Sequence, residues 1–187
     1  GILGKNGRKI TQRDVELLLS MTGTDMGNLR MELEKVISYT EGRNVVTGED
    51  IRAVCTTQTT NKIFDMVRAV TEKNQKRALD LYYDLLTRRE PPMRILFLLA
   101  KQFRQICLTK KLSGEGLYQT EIASKLGVPS FVVRNLASCA RAYTVEELEG
   151  AVRDFVDAEE AVKTGTLGDV LSVELLIVKY SSARKSV

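Results

Sequence analysis

Apolar residues recur at helical spacing along almost the whole chain. "TQRDVELLLSMTG" predicts a first helix, with Thr11 as N-cap, Asp14 at the capping-box position and Gly23 as the stop. "TDMGNLRMELEKVISYTEG" places Leu29, Leu33, Val36 and Ile37 on one face and ends at Gly42. "VTGEDIRAVC" predicts a short helix opening at Thr47, again with an acid, Asp50, three positions on.

The pattern continues beyond the polar stretch "TTQTT", which reads as a linker. "TNKIFDMVRAV" is capped by Thr60 and turns Ile63, Phe64, Val67 and Val70 to one side. "NQKRALDLYYDLLTRRE" follows with Leu79, Tyr82, Tyr83, Leu85 and Leu86. In "PPMRILFLLAKQFRQICLTKKL", Pro91 and Pro92 suit a helix start, where a missing N–H costs nothing. The first half of that helix is apolar nearly all round, which predicts a central, buried position. "TVEELEGAVRDFVDAEEAVKTG" has a capping box from Thr144 to Glu147, Lys163 in its last turn and Gly165 at its stop. "GDVLSVELLIVKY" is the final helix. No strand alternation and no short tandem repeat is visible. The expected fold is all-α: a small three-helix domain over residues 1–52, then a multi-helix bundle over residues 53–187.

Charge is divided unevenly between these two parts. Residues 1–52 hold eight basic and eight acidic side chains. Of 28 basic and 24 acidic residues in the chain, 28 − 8 = 20 and 24 − 8 = 16 therefore fall in the second part, which carries the whole net charge of +4. That bias alone is too mild to identify a nucleic-acid binder. Arg88, Arg89, Arg94, Lys101, Arg104, Lys110 and Lys111 cluster over two neighbouring helices; a solvated face, or contact with phosphate or an acidic partner, would account for them.

Most catalytic chemistry is excluded by composition. The chain has no histidine, which removes histidine-based triads and general bases and most zinc sites. Cys55, Cys107 and Cys139 are far apart and form no CxxC, so they read as reduced, small apolar residues of a cytoplasmic protein. No GxxxxGK[ST] loop is present, and "KTGTLGD" lacks the preceding glycine and reads as a helix end. Glu146, Glu147, Glu159 and Glu160 read as solvated helix faces. No catalytic, cofactor-binding or metal-binding residues are assigned. The longest apolar run, Ile95 to Ala100, is stopped by Lys101, well short of the roughly 18 residues of a spanning helix. The opening "GILGKNGRKI" does not resemble a natural start, which points to a piece of a longer protein.

"YQTEIASKLGVPSFVVRNLASCAR" reads as helix, turn, helix, with the turn at Gly127, Val128 and Pro129 and the second helix from Ser130. DNA-reading units share this outline. A recognition helix, however, presents polar side chains near its N-terminus, and here those places hold Ser130, Phe131, Val132 and Val133. Only Arg134 and Asn135 suit base contacts. The apolar residues predict a helical hairpin inside a bundle, with a DNA-binding regulator as the alternative and an unrelated helical adaptor as a third reading.

Five segments in order, "IFDMVRAV", "KRALDLYYDLL", "EPPMRILFLLAKQFRQI", "EIASKLGVPSFVVRNLASCAR" and "DAEEAVKTG", resemble the delta subunit of bacterial DNA polymerase III, a component of the clamp loader. "GNLRMELEKVISYTEGRNVVTGEDI" resembles that family's helical lid domain, and residues 53–187 its C-terminal collar. The resemblance implies a role in DNA replication as a non-catalytic subunit that uses no ATP and no cofactor. It implies assembly through the collar with the other loader subunits, tau/gamma and delta prime, and only indirect contact with primed DNA. Contact with the sliding clamp belongs, in this family, to an N-terminal domain with no counterpart here. The resemblance implies a cytoplasmic protein with no membrane partner.

Overall fold

Short-range capping sets where several of the helices begin. The computed structural model describes residues 2–22, 26–55 and 59–182. Eleven helices and one pair of two-residue strands are present among them. They divide into two compact units, residues 1–62 and 63–187, with the division inside the first turn of the fifth helix.

The first unit runs α1 (Ile2–Lys5), β1 (Lys9–Ile10), α2 (Gln12–Thr22), α3 (Met26–Tyr39), β2 (Val45–Val46) and α4 (Gly48–Val54). The three expected helices are α2, α3 and α4; the one-turn α1 and the strands are additional. The backbone N–H of Asp14 donates to Thr11 Oγ1 at 3.1 Å, so Thr11 caps α2. The Asp14 carboxylate accepts from that same hydroxyl at 2.7 Å. The expected stop at Gly23 lies outside the described residues. Gly42, after α3, has a φ of 79°, the left-handed region in which a side chain is disfavoured.

Leu3, Leu18, Leu33, Val36, Val46, Ile51 and Cys55 form the core of this unit, with Leu29 and Ile37 packed on its edge. The face read from the α3 sequence is thus the buried one. Strands β1 and β2 pair in parallel, Lys9 opposite Val45 and Ile10 opposite Val46. Two residues are too few for alternation to show in a sequence. The pairing brings the fully buried Val46 into the core. Gly48, the first residue of α4, sits so close to α2 that an added Cβ would lie 2.9 Å from Asp14 Oδ1. Glycine suits that position through close approach, not through its dihedral angles: a side chain there would have to displace the ends of Asp14, Leu17 and Arg52.

The second unit comprises α5 (Thr59–Thr71), α6 (Gln75–Thr87), α7 (Pro92–Gly114), α8 (Gln119–Leu126), α9 (Ser130–Ala140), α10 (Val145–Lys163) and α11 (Asp169–Ser181). Thr60 lies one residue inside α5. Asn74 caps α6 by accepting the Arg77 N–H at 3.1 Å. Pro91 is the N-cap of α7 and Pro92 its first residue, as their missing N–H groups favour. The expected capping box of α10 is present: Thr144 Oγ1 accepts from the Glu147 N–H at 3.2 Å, and the Glu147 carboxylate accepts from the Thr144 N–H at 2.6 Å.

Helix α7 spans 23 residues, about 35 Å at 1.5 Å per residue, and packs against α8, α9, α10 and α11. Ile95, Leu96, Leu99, Phe103 and Ile106 are its buried stripe. Its central position is as expected, but burial all round is not. Phe97 is 62% exposed, because the neighbours of α7 cover one side of it and leave the other to solvent. The unit's main core joins these residues to Ile63, Met66, Val67, Tyr82, Leu85, Leu136, Leu148, Phe155, Val173 and Ile177.

Candidate interaction surfaces

The described residues hold no group of three or more histidine, cysteine, aspartate or glutamate side chains placed to take a metal ion. No described helix is long and apolar enough to cross a membrane. The three cysteines are buried and free, and burial pushes each thiol upward, Cys55 to about 11. Thiols held protonated in this way are poor nucleophiles. An open depression on the first unit is lined by Ile2, Asn6, Arg30, Glu34, Ile37 and Ser38, with Arg30 and Glu34 paired to each other at 3.1 Å.

The α8–α9 hairpin ends its first helix at Gly127, whose φ is 64°. The Val128 N–H closes the turn onto the Ala123 carbonyl at 3.0 Å. Ile122, Ala123 and Val133 form a small buried cluster with Leu112, Leu117, Leu126 and Val128 around it. Along α9, Val133 and Leu136 are fully buried and Cys139 and Ala140 nearly so, while Val132 packs on the main core. Arg134 and Asn135 face solvent. The helix in the recognition position therefore spends its apolar face on the bundle, as the residue types predict. Burying side chains of this size stabilises by roughly 1.5–3 kcal/mol each, which holds the helix in place.

Helix α11 has an inner and an outer apolar face. Val173, Leu176 and Ile177 point into the core. On the outer side Leu171, Leu175 and Val178 are 47%, 50% and 36% exposed. Their spacing of four and three residues makes one continuous stripe. At its edge Glu174 accepts a hydrogen bond from the Tyr83 hydroxyl at 2.8 Å. The α11 sequence by itself is simply strongly apolar; the split into two faces is set by packing.

A knot of side chains holds the C-terminal end of α11. Phe103, Tyr143, Phe155 and Tyr180 pack together with ring centroids 5.1–6.5 Å apart, Phe155 stacked on Tyr180 and the other pairs tilted or edge-on. The Tyr180 carbonyl accepts from Tyr143 Oη at 2.7 Å and from Lys73 Nζ at 2.9 Å. That ammonium also lies 4.3 Å from the centre of the Tyr143 ring. A cation on the last carbonyls of a helix is favoured by the helix dipole. The Tyr180 hydroxyl donates to Asp154 Oδ2, and Lys179 pairs with the same oxygen at 2.5 Å. Burial opposes ionisation of Asp154, but the bonds from Lys179 and Tyr180 outweigh it and hold the carboxyl below its usual value. The knot fixes the direction in which the α11 stripe faces.

Four of the seven basic residues expected to cluster have partners. Arg88 pairs with Asp84 at 3.3 Å, Arg94 with Glu90 at 3.3 Å and Lys111 with Glu149 at 2.5 Å. Lys110 Nζ donates to the Ala140 carbonyl at 2.9 Å. Lys101 and Arg104 are exposed on α7 and make no ion pair among the described residues.

Residues 60–180 match the family described as "DNA polymerase III delta subunit, C-terminal domain". The chain is 27% identical over 164 residues to the Bacillus subtilis (strain 168) DNA polymerase III subunit delta, covering 88% of this chain and 47% of that one. It is 22% identical over 150 residues to the probable DNA polymerase III subunit delta of Aquifex aeolicus (strain VF5), covering 79% and 43%. A solved structure of the Bacillus subtilis DNA clamp loader delta protein superposes with a TM-score of 0.83 at 25% identity, over 96% of this chain and 53% of that chain. The chain thus spans about half the length of the relatives it matches.

Proposed function

The chain belongs to the DNA polymerase III delta subunit family, and from that premise we propose that it serves DNA replication as an assembly part of a clamp loader. In this reading residues 53–187 are the collar and residues 1–52 the lid. The chain performs no chemistry of its own and works in the cytoplasm. The partners are the other loader subunits, tau/gamma and delta prime. The family match supports this reading over the DNA-binding regulator, and so does the burial of Val133 and Leu136, which spends the face of α9 that a regulator would leave free.

One observation carries the assembly role: the exposed Leu171, Leu175 and Val178 stripe on α11, which the bundle itself leaves uncovered. Adjacent apolar side chains on consecutive turns are costly to leave in water and typical of a surface that pairs. Stable interfaces bury about 1,200–2,000 Å² in total, of which such a stripe supplies the dry centre. The test is co-purification of the 187-residue chain with the other loader subunits, comparing the parent with L171E/L175E. Loss of the complex by a folded variant is expected. An unchanged complex would reject the stripe as the assembly surface.

A further inference from the structure

Glu174 is the one charged side chain between Leu171 and Val178 on α11. At about 100° per residue, Leu171, Glu174, Leu175 and Val178 fall within an arc of about 100°, on a strip about 10 Å long. Glu174 stands along one edge of that strip, at its midpoint. Its Oε1 accepts from the Tyr83 hydroxyl at 2.8 Å. The same bond raises the Tyr83 phenol above its ordinary value, so the hydroxyl stays a donor at neutral pH. Tyr83 is itself exposed, and the pair lies open beside the apolar side chains. Glu174 makes no ion pair among the described residues, and the only cation of α11, Lys179, is held by Asp154 at 2.5 Å.

We propose that the α11 stripe receives a partner surface that sets a cationic side chain against the Glu174 carboxylate, with Tyr83 holding that carboxylate in position. The inference rests on the assembly reading and adds to it the chemistry of the partner. An interface that closes over Leu171, Leu175 and Val178 takes Glu174 out of water with them. The Tyr83 hydroxyl is a neutral donor and serves one of the two carboxylate oxygens. A carboxylate buried without a cation is strongly destabilising; one that is paired and hydrogen-bonded is tolerated. Arginine suits the place best, because its planar fork matches a carboxylate and it is enriched at interfaces where lysine is depleted. A second copy of this chain does not fit. Antiparallel two-fold pairing of the stripes would set Glu174 of one copy against Glu174 of the other, since the residue lies at the midpoint. Parallel pairing would set it against the Leu175 edge. Neither brings a free cation from α11, because Lys179 is engaged by Asp154. The carboxylate therefore selects against self-pairing as well as for a basic partner.

The test measures, by interferometry, the affinity of the whole 187-residue chain for immobilised tau/gamma and delta prime subunits. The variants are E174L, E174R and Y83F, with L171E/L175E as the reference, each checked for folding by circular dichroism. E174L removes the carboxylate and extends the apolar strip. At a purely apolar interface it would bind more tightly than the parent. Opposite a cation it strands that cation, and weakening by at least about 10-fold is expected. E174R should weaken binding by about 100-fold or more, as like charges meet. Y83F should lose about 3-fold, for one hydrogen bond to the carboxylate. If L171E/L175E binds like the parent, the stripe is not the assembly surface, and the inference falls with that reading. If L171E/L175E abolishes binding while E174L binds as tightly as the parent or more so, the assembly surface stands and the inference is overturned. Dimers of the parent chain in sedimentation equilibrium, dissociated by L171E/L175E, would also overturn it, because a second copy would then be the occupant.

Discussion

Tyr143 donates its phenolic hydrogen to the backbone carbonyl of Tyr180 at 2.7 Å, across 37 positions of sequence. The bond ties the entrance of α10 to the last turn of α11. The same carbonyl accepts from Lys73 in the turn between α5 and α6, so three connections meet at one oxygen. Tyr143→Phe removes one donor and leaves the other. A loss of about 1 kcal/mol is expected. Tyr143→Ala also removes the ring against Phe103, and a loss of about 3–5 kcal/mol is expected. Urea unfolding followed by far-ultraviolet circular dichroism measures both. Equal effects of the two substitutions would show that the ring contributes nothing to packing.

At the hairpin, Val133→Asp should place a carboxylate where the side chain is 0% exposed. The cost is several kcal/mol against a total stability of roughly 5–15 kcal/mol. Arg134→Ala, at the exposed neighbouring position, should fall within about 0.5 kcal/mol of the parent. The comparison is made by thermal melting. A Val133→Asp protein that melts with the parent would mean that α9 is free, and would revive direct DNA contact by this helix.

Acid should weaken the first unit through Asp50. Its carboxylate accepts from the Thr47 N–H at 2.9 Å, the largest influence holding its pKa below the ordinary 3.8; burial opposes the shift, and Arg43 at 2.8 Å reinforces it. Because the folded value is the lower one, the stabilisation is fully present above the unfolded value. It is lost as pH falls from there through the folded value. A fall in stability beginning near pH 4 and continuing below it is expected, and Asp50→Asn should remove that part of the pH dependence. A parent and variant with parallel stability curves from pH 6 to the acid limit, about pH 2, would show that Asp50 has no such role. Separately, Thr47→Ala should cost about 1 kcal/mol as the loss of an N-cap.

The cysteines give a check on the cores of both units. Cys55 lies in the first core and Cys107 and Cys139 in the second. Burial and thiols held above their ordinary value predict negligible labelling by a disulfide reagent at pH 8 in the native protein. In denaturant all three should react promptly. Rapid labelling of one thiol without denaturant would show that its core opens locally.

How far the sequence determined this protein depends on the range over which each feature is satisfied. The caps at Thr11, Thr47 and Thr144 and the turn at Gly127 are completed within three or four residues, so their hydrogen bonds are implied by residue type and spacing alone. The inward face of α9 was legible for a related reason: Val132, Val133 and Leu136 had nowhere else to go. What the tertiary structure alone decided is which side of an apolar helix is covered. "RILFLLAKQF" is apolar on almost every side, yet only the arrangement of α8, α9, α10 and α11 about α7 leaves Phe97 outside and Phe103 within. The same holds for α11, where Leu175 and Leu176 are neighbours in sequence and one is exposed while the other is buried. Composition showed that cations were plentiful in this region; that Lys111 is neutralised by Glu149, while Lys101 and Arg104 make no ion pair among the described residues, required α10 to be in place. Residues such as Tyr143 and Tyr180 carry no local signal of their pairing, because the entropy of closing the chain between them is offset only when the helices that bear them pack together.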